Sequence, residues 1–181
     1  MILSKRQVAA LLKVVGTGER LGRLMVGGGR LMATDGYKLA VVEMDGDGVA
    51  DRDVGRRDLE RWLACARLGS TPMEERILTE GALLALPHRP PEGGLAASVD
   101  ALVADLCARE AGALPSVAFD PRSYAVLAEL VTGRAPARLA AWGAPPLSFG
   151  AGATAIVRVL PGPGDLQGVF AFMPTRERSH G

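Results

Sequence analysis

A chain of 181 residues, 48% of them hydrophobic, is long enough to fold around one core of ordinary size or two small subdomains that share one. Its formal net charge of +1 argues against a globally basic nucleic-acid binder, and eight aromatic residues are too few for a platform that stacks single-stranded bases. The two cysteines, Cys65 and Cys107, have no C-x-x-C spacing and predict a reducing, cytoplasmic setting. The apolar run from Val8 to Val15 is interrupted by Lys13 and is too short to span a membrane, so no membrane partner is expected.

The first predicted element is a helix that begins at Ser4, because Ser4 and Gln7 have the spacing of a capping box. Apolar residues then recur at helical spacing, at Val8, Leu11, Leu12 and Val15. The opposite face of this helix combines small and basic side chains, namely Arg6, Ala9, Ala10 and Lys13. Residues 21–26 and residues 30–44, broken by Asp35-Gly36, predict strands joined by tight turns.

A second unit of the same kind follows. Residues 56–68 predict a helix with Leu59, Trp62, Leu63 and Ala66 on its apolar face. Its outer face is again small and basic, at Arg57, Arg61 and Ala64. Two strands are predicted around the Glu80-Gly81 turn, over 75–78 and 82–86. The proline-rich residues 88–94 then predict a linker or loop.

A third unit begins at Asp120-Pro121, where an N-cap residue precedes a proline at the first helical position. Strands are predicted after this helix, over 137–142, 147–149, 154–160 and 168–173. Recurrence of a helix, a glycine and strands at roughly 50 to 65 residues predicts an internal repeat. Residues 99–110 have helical spacing outside this repeat and are expected to form a connector that packs on the sheet.

Motifs for catalysis and metal binding are weak. Residues 16–22 have the wrong spacing for a dinucleotide fingerprint and follow a helix, and the acidic loop 45–53 lacks the ligand order of an EF-hand and predicts a solvated turn. His88 and His180 have no ligand cluster nearby, and Cys65, among alanines and Trp62, predicts a buried, inert thiol. We therefore expect no enzyme, no metal and no cofactor.

The basic helix faces have two interpretations. In the simpler interpretation they are ordinary solvated surface, where charged residues usually lie; the residues concerned are Arg6, Lys13, Arg57 and Arg61. In the other, the alanines between them allow close approach to double-stranded DNA, and the cations supply weak contacts to phosphates that do not depend on base sequence. The third helix departs from this pattern, since its outer face carries Arg122, Ala125, Glu129 and Thr132.

Two stretches at opposite ends of the chain resemble one family. Residues 33–41, ATDGYKLAV, resemble the ATDG(H/Y)RLA signature in the middle domain of bacterial DNA polymerase III beta sliding clamps. Residues 168–176, GVFAFMPTR, are similar to the last strand and terminal M-P-x-R of those clamps. The helix near Leu59 with residues 74–78, and residues 115–133, resemble further clamp repeats, while residues 88–114 are matched poorly.

The resemblance implies an α+β, DNA-clamp-like fold of β-α-β-β-β repeats, with helices on one face of antiparallel sheets. The expected division is a clamp-like domain of two repeats over 1–88, a connector over 89–114 and a third repeat over 115–181. The implied function is that of a non-enzymatic processivity factor, which surrounds or lies along DNA, docks polymerase-type partners in a hydrophobic pocket and forms a homo-oligomer. Carried over by motif, the pocket residues are Thr34, Gly36, Tyr37, Leu39, Arg76, Ile77, Phe172, Met173 and Pro174.

Alternatives remain for both the pocket and the ring. The pocket residues also fit simple core packing, because Phe172 and Met173 alternate along a strand and at least one must point into a core. Three repeats are fewer than a clamp subunit has, so the chain is either a ring-forming clamp or a monomeric clamp mimic that binds clamp-interacting peptides without encircling DNA. An enzyme that reuses the fold is the least favoured interpretation.

Overall fold

A computed structural model gives the structure of residues 1–44, 51–65, 77–91, 94–108, 120–135, 147–150 and 156–174, with the backbone alone for Ile77 and residues 147–150. In this part of the chain the strands are β1 (Ile2–Ser4), β2 (Arg23–Gly27), β3 (Arg30–Thr34), β4 (Lys38–Glu43), β5 (Arg52–Gly55), β6 (Ile77–Thr79), β7 (His88–Arg89), β8 (Leu147–Gly150), β9 (Ile156–Val159) and β10 (Gly168–Phe172). The helices are α1 (Lys5–Leu12), α2 (Arg56–Cys65), α3 (Glu80–Ala85), α4 (Leu95–Ala108) and α5 (Pro121–Thr132).

The strands form two antiparallel sheets. Eight strands make one sheet in the order β7-β5-β2-β3-β4-β10-β9-β8, and β1 pairs with β6 in a second, two-stranded sheet. Strands β4 and β10 come from opposite ends of the chain, yet they are neighbours at the centre of the large sheet, with Gly168 opposite Val42 and Phe172 opposite Lys38. The fold is therefore mixed α+β with antiparallel sheets, as the sequence predicts.

The large sheet is covered on both faces, because successive side chains of a strand point to opposite sides. Along β10, Phe170 and Phe172 belong to a core that also contains residues of α1, α2 and α5. Ala171, between them, belongs to a second core formed with α4. Helices α1, α2, α3 and α5 thus pack on one face of the large sheet and form the core that we call the helix-side core. Helix α4 packs on the opposite face.

Local signals at the helix ends explain where α1 and α5 begin. The Ser4 hydroxyl accepts a hydrogen bond from the Gln7 N–H at 3.3 Å, and the Gln7 side chain accepts one from the Ser4 N–H at 2.9 Å, which confirms the capping box. Asp120 caps α5 by accepting from the Arg122 N–H, and Gly133 ends that helix. Gln7 also donates to the Leu130 carbonyl at 3.0 Å and so joins α1 to α5.

Four sequence predictions are wrong in detail. Residues 82–86 are not a strand, because Thr79 accepts from the Ala82 N–H and starts α3. His88 and Arg89 are not a loop but pair with β5 as β7. The helices do not share one face, since α4 lies on the other. Cys65 is exposed, because α2 buries Leu59 and Leu63 instead.

Other predictions hold or lie outside the described residues. The strands predicted after α1 and after α5 form as β2 to β4 and β8 to β10, and the predicted connector forms α4 and packs on the sheet. The predicted strand 137–142, and most of the acidic loop 45–53, lie outside the described residues. Among the described helices, the length and hydropathy needed for a membrane crossing do not occur together.

Candidate partner-binding site

The turn between β3 and β4 is held by the side chains of the ATDG stretch. Thr34 Oγ1 donates to the Lys38 carbonyl at 2.8 Å and accepts from the Gly36 N–H at 3.1 Å. Asp35 Oδ1 accepts from the N–H groups of Tyr37 and Lys38, at 2.9 and 2.7 Å, while Asp35 Oδ2 pairs with the Lys38 ammonium. Gly36 has φ +91°, a conformation that costs glycine little. Thr34, Asp35 and Gly36 therefore each have a structural role in the turn. The side chain of Tyr37 has no such role.

The end of β10 lies beside this turn. The Met173 N–H donates to the Tyr37 carbonyl at 2.8 Å, which extends the β4–β10 ladder by one further bond. Both side chains are unusually exposed for large apolar groups, Tyr37 at 72% and Met173 at 42%. Burial of such groups against a partner is favourable, so the pair marks a candidate contact surface.

Between the turn, β10 and α4 lies a depression of about 40 Å³, which we call the apolar depression. Its lining comes from β3, β4, β9, β10, the ATDG turn and α4, with Thr34, Gly36, Tyr37, Lys38, Leu39, Leu102, Leu106, Ile156, Ala171, Phe172 and Met173. This volume is far below the range for small-molecule sites, so the depression is a shallow contact surface and not an enclosing pocket. It suits a single apolar anchor of a short segment.

Six of the nine predicted pocket residues meet here, namely Thr34, Gly36, Tyr37, Leu39, Phe172 and Met173. Phe172 is only 1% exposed and packs into the helix-side core, so the core-packing interpretation is correct for this side chain. Arg76 lies outside the described residues, and the backbone of Ile77 lies in the two-stranded sheet, opposite Ser4. Pro174 follows Met173 but does not line the depression.

One wall of the apolar depression comes from α4, which sequence reasoning did not assign to the site. Leu102 and Leu106 contact it, and Arg158 of β9 donates to the Leu106 carbonyl at 3.4 Å near the end of the helix. The apolar spacing of α4 was visible in the sequence. Nothing local, however, indicates which surface a connecting helix covers.

The predicted DNA-facing residues have different surroundings. Arg6 and Lys13 of the α1 region reach the two carboxylate oxygens of Glu129 on α5, at 3.2 and 3.3 Å. Glu129 is 9% exposed, so the prediction that it lies on an outer face is wrong: it fills the space between the two helices. Arg61 is largely exposed and lies 3.6 Å from Asp58, while Arg57 forms no ion pair with the described residues.

Charge is distributed unevenly between the two faces of the large sheet. Helices α1, α2, α3 and α5, with Lys13 after α1, carry seven basic residues and four acidic ones. The basic ones are Lys5, Arg6, Lys13, Arg56, Arg57, Arg61 and Arg122, and the acidic ones are Asp58, Glu60, Glu80 and Glu129. Helix α4 carries Asp100 and Asp105 and no basic residue. We call the first surface the basic helix face; it lies on the side of the sheet opposite α4.

The remaining polar groups fit structural roles. Asp53, predicted in a solvated turn, is buried in β5 and accepts from Arg23 Nη1 at 2.9 Å. Burial raises the pKa of the Tyr124 hydroxyl on α5 above its ordinary value. Among the described residues, no group of three or more histidine, cysteine, aspartate or glutamate side chains is arranged to hold a metal ion.

In comparisons with known proteins, no protein-family model matches the chain and no curated protein matches its sequence.

Proposed function

We propose that the chain is a sliding-clamp-like docking protein of DNA replication or repair. A short peptide of a DNA polymerase or related protein binds in the apolar depression, while the basic helix face lies along or around double-stranded DNA. One observation carries the proposal: residues 33–41 and 168–174, which resemble clamp signatures independently, pair as neighbouring strands and line the same depression. Simple core packing accounts for Phe172 but gives no reason for the exposure of Tyr37 and Met173.

Docking through the apolar depression follows from its chemistry. Leu39, Ala171 and Ile156 form an apolar floor, and the exposed side chains of Tyr37 and Met173 stand at its rim. An apolar side chain of a partner would displace water from this surface, at about 25 cal/mol per Å² of apolar area. Affinity concentrated in a few such contacts is typical of short peptide motifs.

The basic helix face supports the DNA part of the proposal. It has an excess of cations, although the chain as a whole has a net charge of only +1. Contacts to phosphates are the same at every base pair, so they hold a protein near DNA without fixing its position. The apolar depression lies toward α4, on the opposite side of the sheet, and a docked partner therefore leaves this face free.

The test is fluorescence anisotropy with a labelled peptide that carries a clamp-binding motif. We expect Met173→Ala to weaken binding about 5- to 30-fold, the effect of an anchor contact that contributes about 1 to 2 kcal/mol. Met173 is preferable to Phe172 for this purpose, because Phe172 is a core residue.

Ile2→Ala is the matched control, since Ile2 is an exposed apolar residue in the two-stranded sheet. Its removal should leave peptide affinity unchanged. An equal loss in both variants, or no binding to the unaltered protein at high micromolar concentration, would contradict the proposal.

A second candidate, the monomeric clamp mimic, is favoured by the ion pairs of Glu129. This carboxylate engages both Arg6 and Lys13, two of the four cations expected to face DNA. A mimic keeps the apolar depression but neither forms a ring nor holds DNA. The native mass, together with retention on circular but not linear DNA, separates the two candidates.

The variant Glu129→Gln also distinguishes the DNA-bound clamp from the monomeric mimic, because it removes one negative charge from the basic helix face. The amide keeps the shape of the side chain but releases Arg6 and Lys13 from their carboxylate partner. If the basic helix face binds DNA, affinity for a labelled duplex should rise about 2- to 5-fold at low salt and the gain should shrink as salt increases. Asp105→Asn, which removes the same charge on α4, is the control. Unchanged duplex affinity in folded Glu129→Gln would favour the mimic.

A further inference from the structure

A second cavity, of about 470 Å³, lies between the start of α2, the loop before β2 and the edge strand β7. Four arginines line it, Arg23, Arg56, Arg57 and Arg89, and we call it the arginine cavity. It is distinct from the apolar depression, with which it shares no lining residue. Its charged lining differs from the apolar lining of the first site.

The arginines of this cavity divide into two pairs by their surroundings. Arg23 donates to Asp53 at 2.9 Å, and Arg56 binds Glu60 at 2.8 Å and the Val15 carbonyl at 2.6 Å, so both help to build the wall. Arg57 and Arg89 are exposed, and their side chains form no hydrogen bond or ion pair with the described residues.

Strand β5 brings Arg57 and Arg89 to one place. Its residue Asp53 is directly opposite Arg89 of β7, and α2 begins immediately after the strand, which puts Arg57 two residues beyond Gly55. The two guanidinium groups thus flank a cavity whose acidic lining residues are largely engaged: Asp53 by Arg23, and Asp58 by Arg61. Glu19, on the loop before β2, is the acidic residue that remains.

The cavity wall between the arginines is partly backbone. Gly18, Gly22 and Gly55 line it, so a ligand meets peptide groups there instead of side chains. Guanidinium groups bind phosphate oxygens in a planar, bidentate manner, and two of them in one cavity supply the charge that a phosphate group requires.

We propose that the arginine cavity is a phosphate-binding site, with Arg57 and Arg89 as its ligand-binding residues. Its ligand is a backbone phosphate of double-stranded DNA, a choice that rests on the proposed function. A free phosphate compound has the same chemistry and is the other source that the test must separate. Arg57 already belongs to the predicted DNA-facing set, whereas Arg89 joins it only through the pairing of β7 with β5.

The experiment compares two double variants that remove the same charge. Arg57→Ala with Arg89→Ala removes the ligand-binding pair, and Arg122→Ala with Arg134→Ala removes two exposed arginines at the two ends of α5, outside the cavity. A labelled duplex is titrated by anisotropy at several salt concentrations, and thermal unfolding establishes that both variants are folded. The cavity variant should lose about 10-fold or more in duplex affinity, with a slope of log K against log salt reduced by about 1 to 2. The control variant should lose about 3-fold or less.

Equal losses in the two variants would overturn the proposal, because general attraction of the basic helix face would then account for binding. Inorganic phosphate is titrated in parallel. Phosphate binding that the cavity variant loses, with duplex affinity unaffected, would overturn DNA as the ligand and keep the site for a free phosphate compound.

Failure of the phosphate site can be distinguished from failure of the proposed docking function. Peptide binding without any response to duplex or phosphate would overturn the phosphate site and leave docking intact. Phosphate binding without peptide or duplex binding would support the site and contradict the docking function.

Discussion

Replacing Gly168 by alanine should lower the free energy of unfolding by about 3 kcal/mol or more and abolish peptide binding. Gly168 begins β10 with φ +149°, a conformation that side chains disfavour. A Cβ at this position would also lie 1.9 Å from the Val41 carbonyl oxygen. That oxygen belongs to the backbone of β4, so it cannot move away unless the β4–β10 ladder shifts. Because the ladder joins the two halves of the apolar depression, stability and peptide affinity should fall together.

Gly164→Ala is the matched control for backbone strain alone. Gly164 also has a positive φ, +80°, but no atom lies within 4 Å of the position that its Cβ would take. Denaturant unfolding and peptide anisotropy are measured for both variants. An equal loss of stability in the two would contradict the importance of the close approach at Gly168. Full peptide affinity in folded Gly168→Ala would contradict the link between the ladder and the site.

The helix starts and turns that were predicted correctly are those determined by residues close together in the sequence. The capping box at Ser4 and the Asp120-Pro121 start each depend on residues only a few positions apart. The hairpin through Gly28 and Gly29 and the Asp35-Gly36 turn likewise have their determinants in sequence order. Such short-range geometry can be predicted without knowledge of the tertiary fold.

Residues 82–86 show where local pattern becomes ambiguous. A short apolar run such as Ala82–Leu86 has no period that separates a strand from a buried helix. The Thr79 hydroxyl decides the outcome, because it accepts from the Ala82 N–H at 3.2 Å and so caps α3. The residues of this run, alanine and leucine, are also strong helix formers.

Neither candidate site could be predicted from local pattern alone. The resemblance indicated that Tyr37 and Met173 belong together, but it did not indicate that α4 forms a wall beside them. The position of Glu129 beside Arg6 depends on how α1 packs against α5, and helical periodicity gives only the face of one helix at a time. Arg89 reaches the arginine cavity through a two-residue strand in a segment that reads as a linker.

Replacing Leu106 by alanine should lower the free energy of unfolding by about 2 to 5 kcal/mol and change which peptides bind. Leu106 is buried against the α4-side core, so truncation removes apolar contacts and leaves a void. The same side chain forms part of the wall of the apolar depression, and its loss widens the site. The variant should therefore gain affinity for peptides with a larger aromatic anchor relative to those with a leucine anchor.

Leu95→Ala separates the role in the wall from the role in the core. Leu95 lies on the same helix and in the same core, is also buried, and does not line the depression. Both variants should lose stability in denaturant titrations, and amide exchange along α4 should rise in both because each loses a buried side chain that holds the helix on the sheet. The peptide preference should change in Leu106→Ala alone. The same preference in the two variants would mean that α4 covers the sheet without shaping the site.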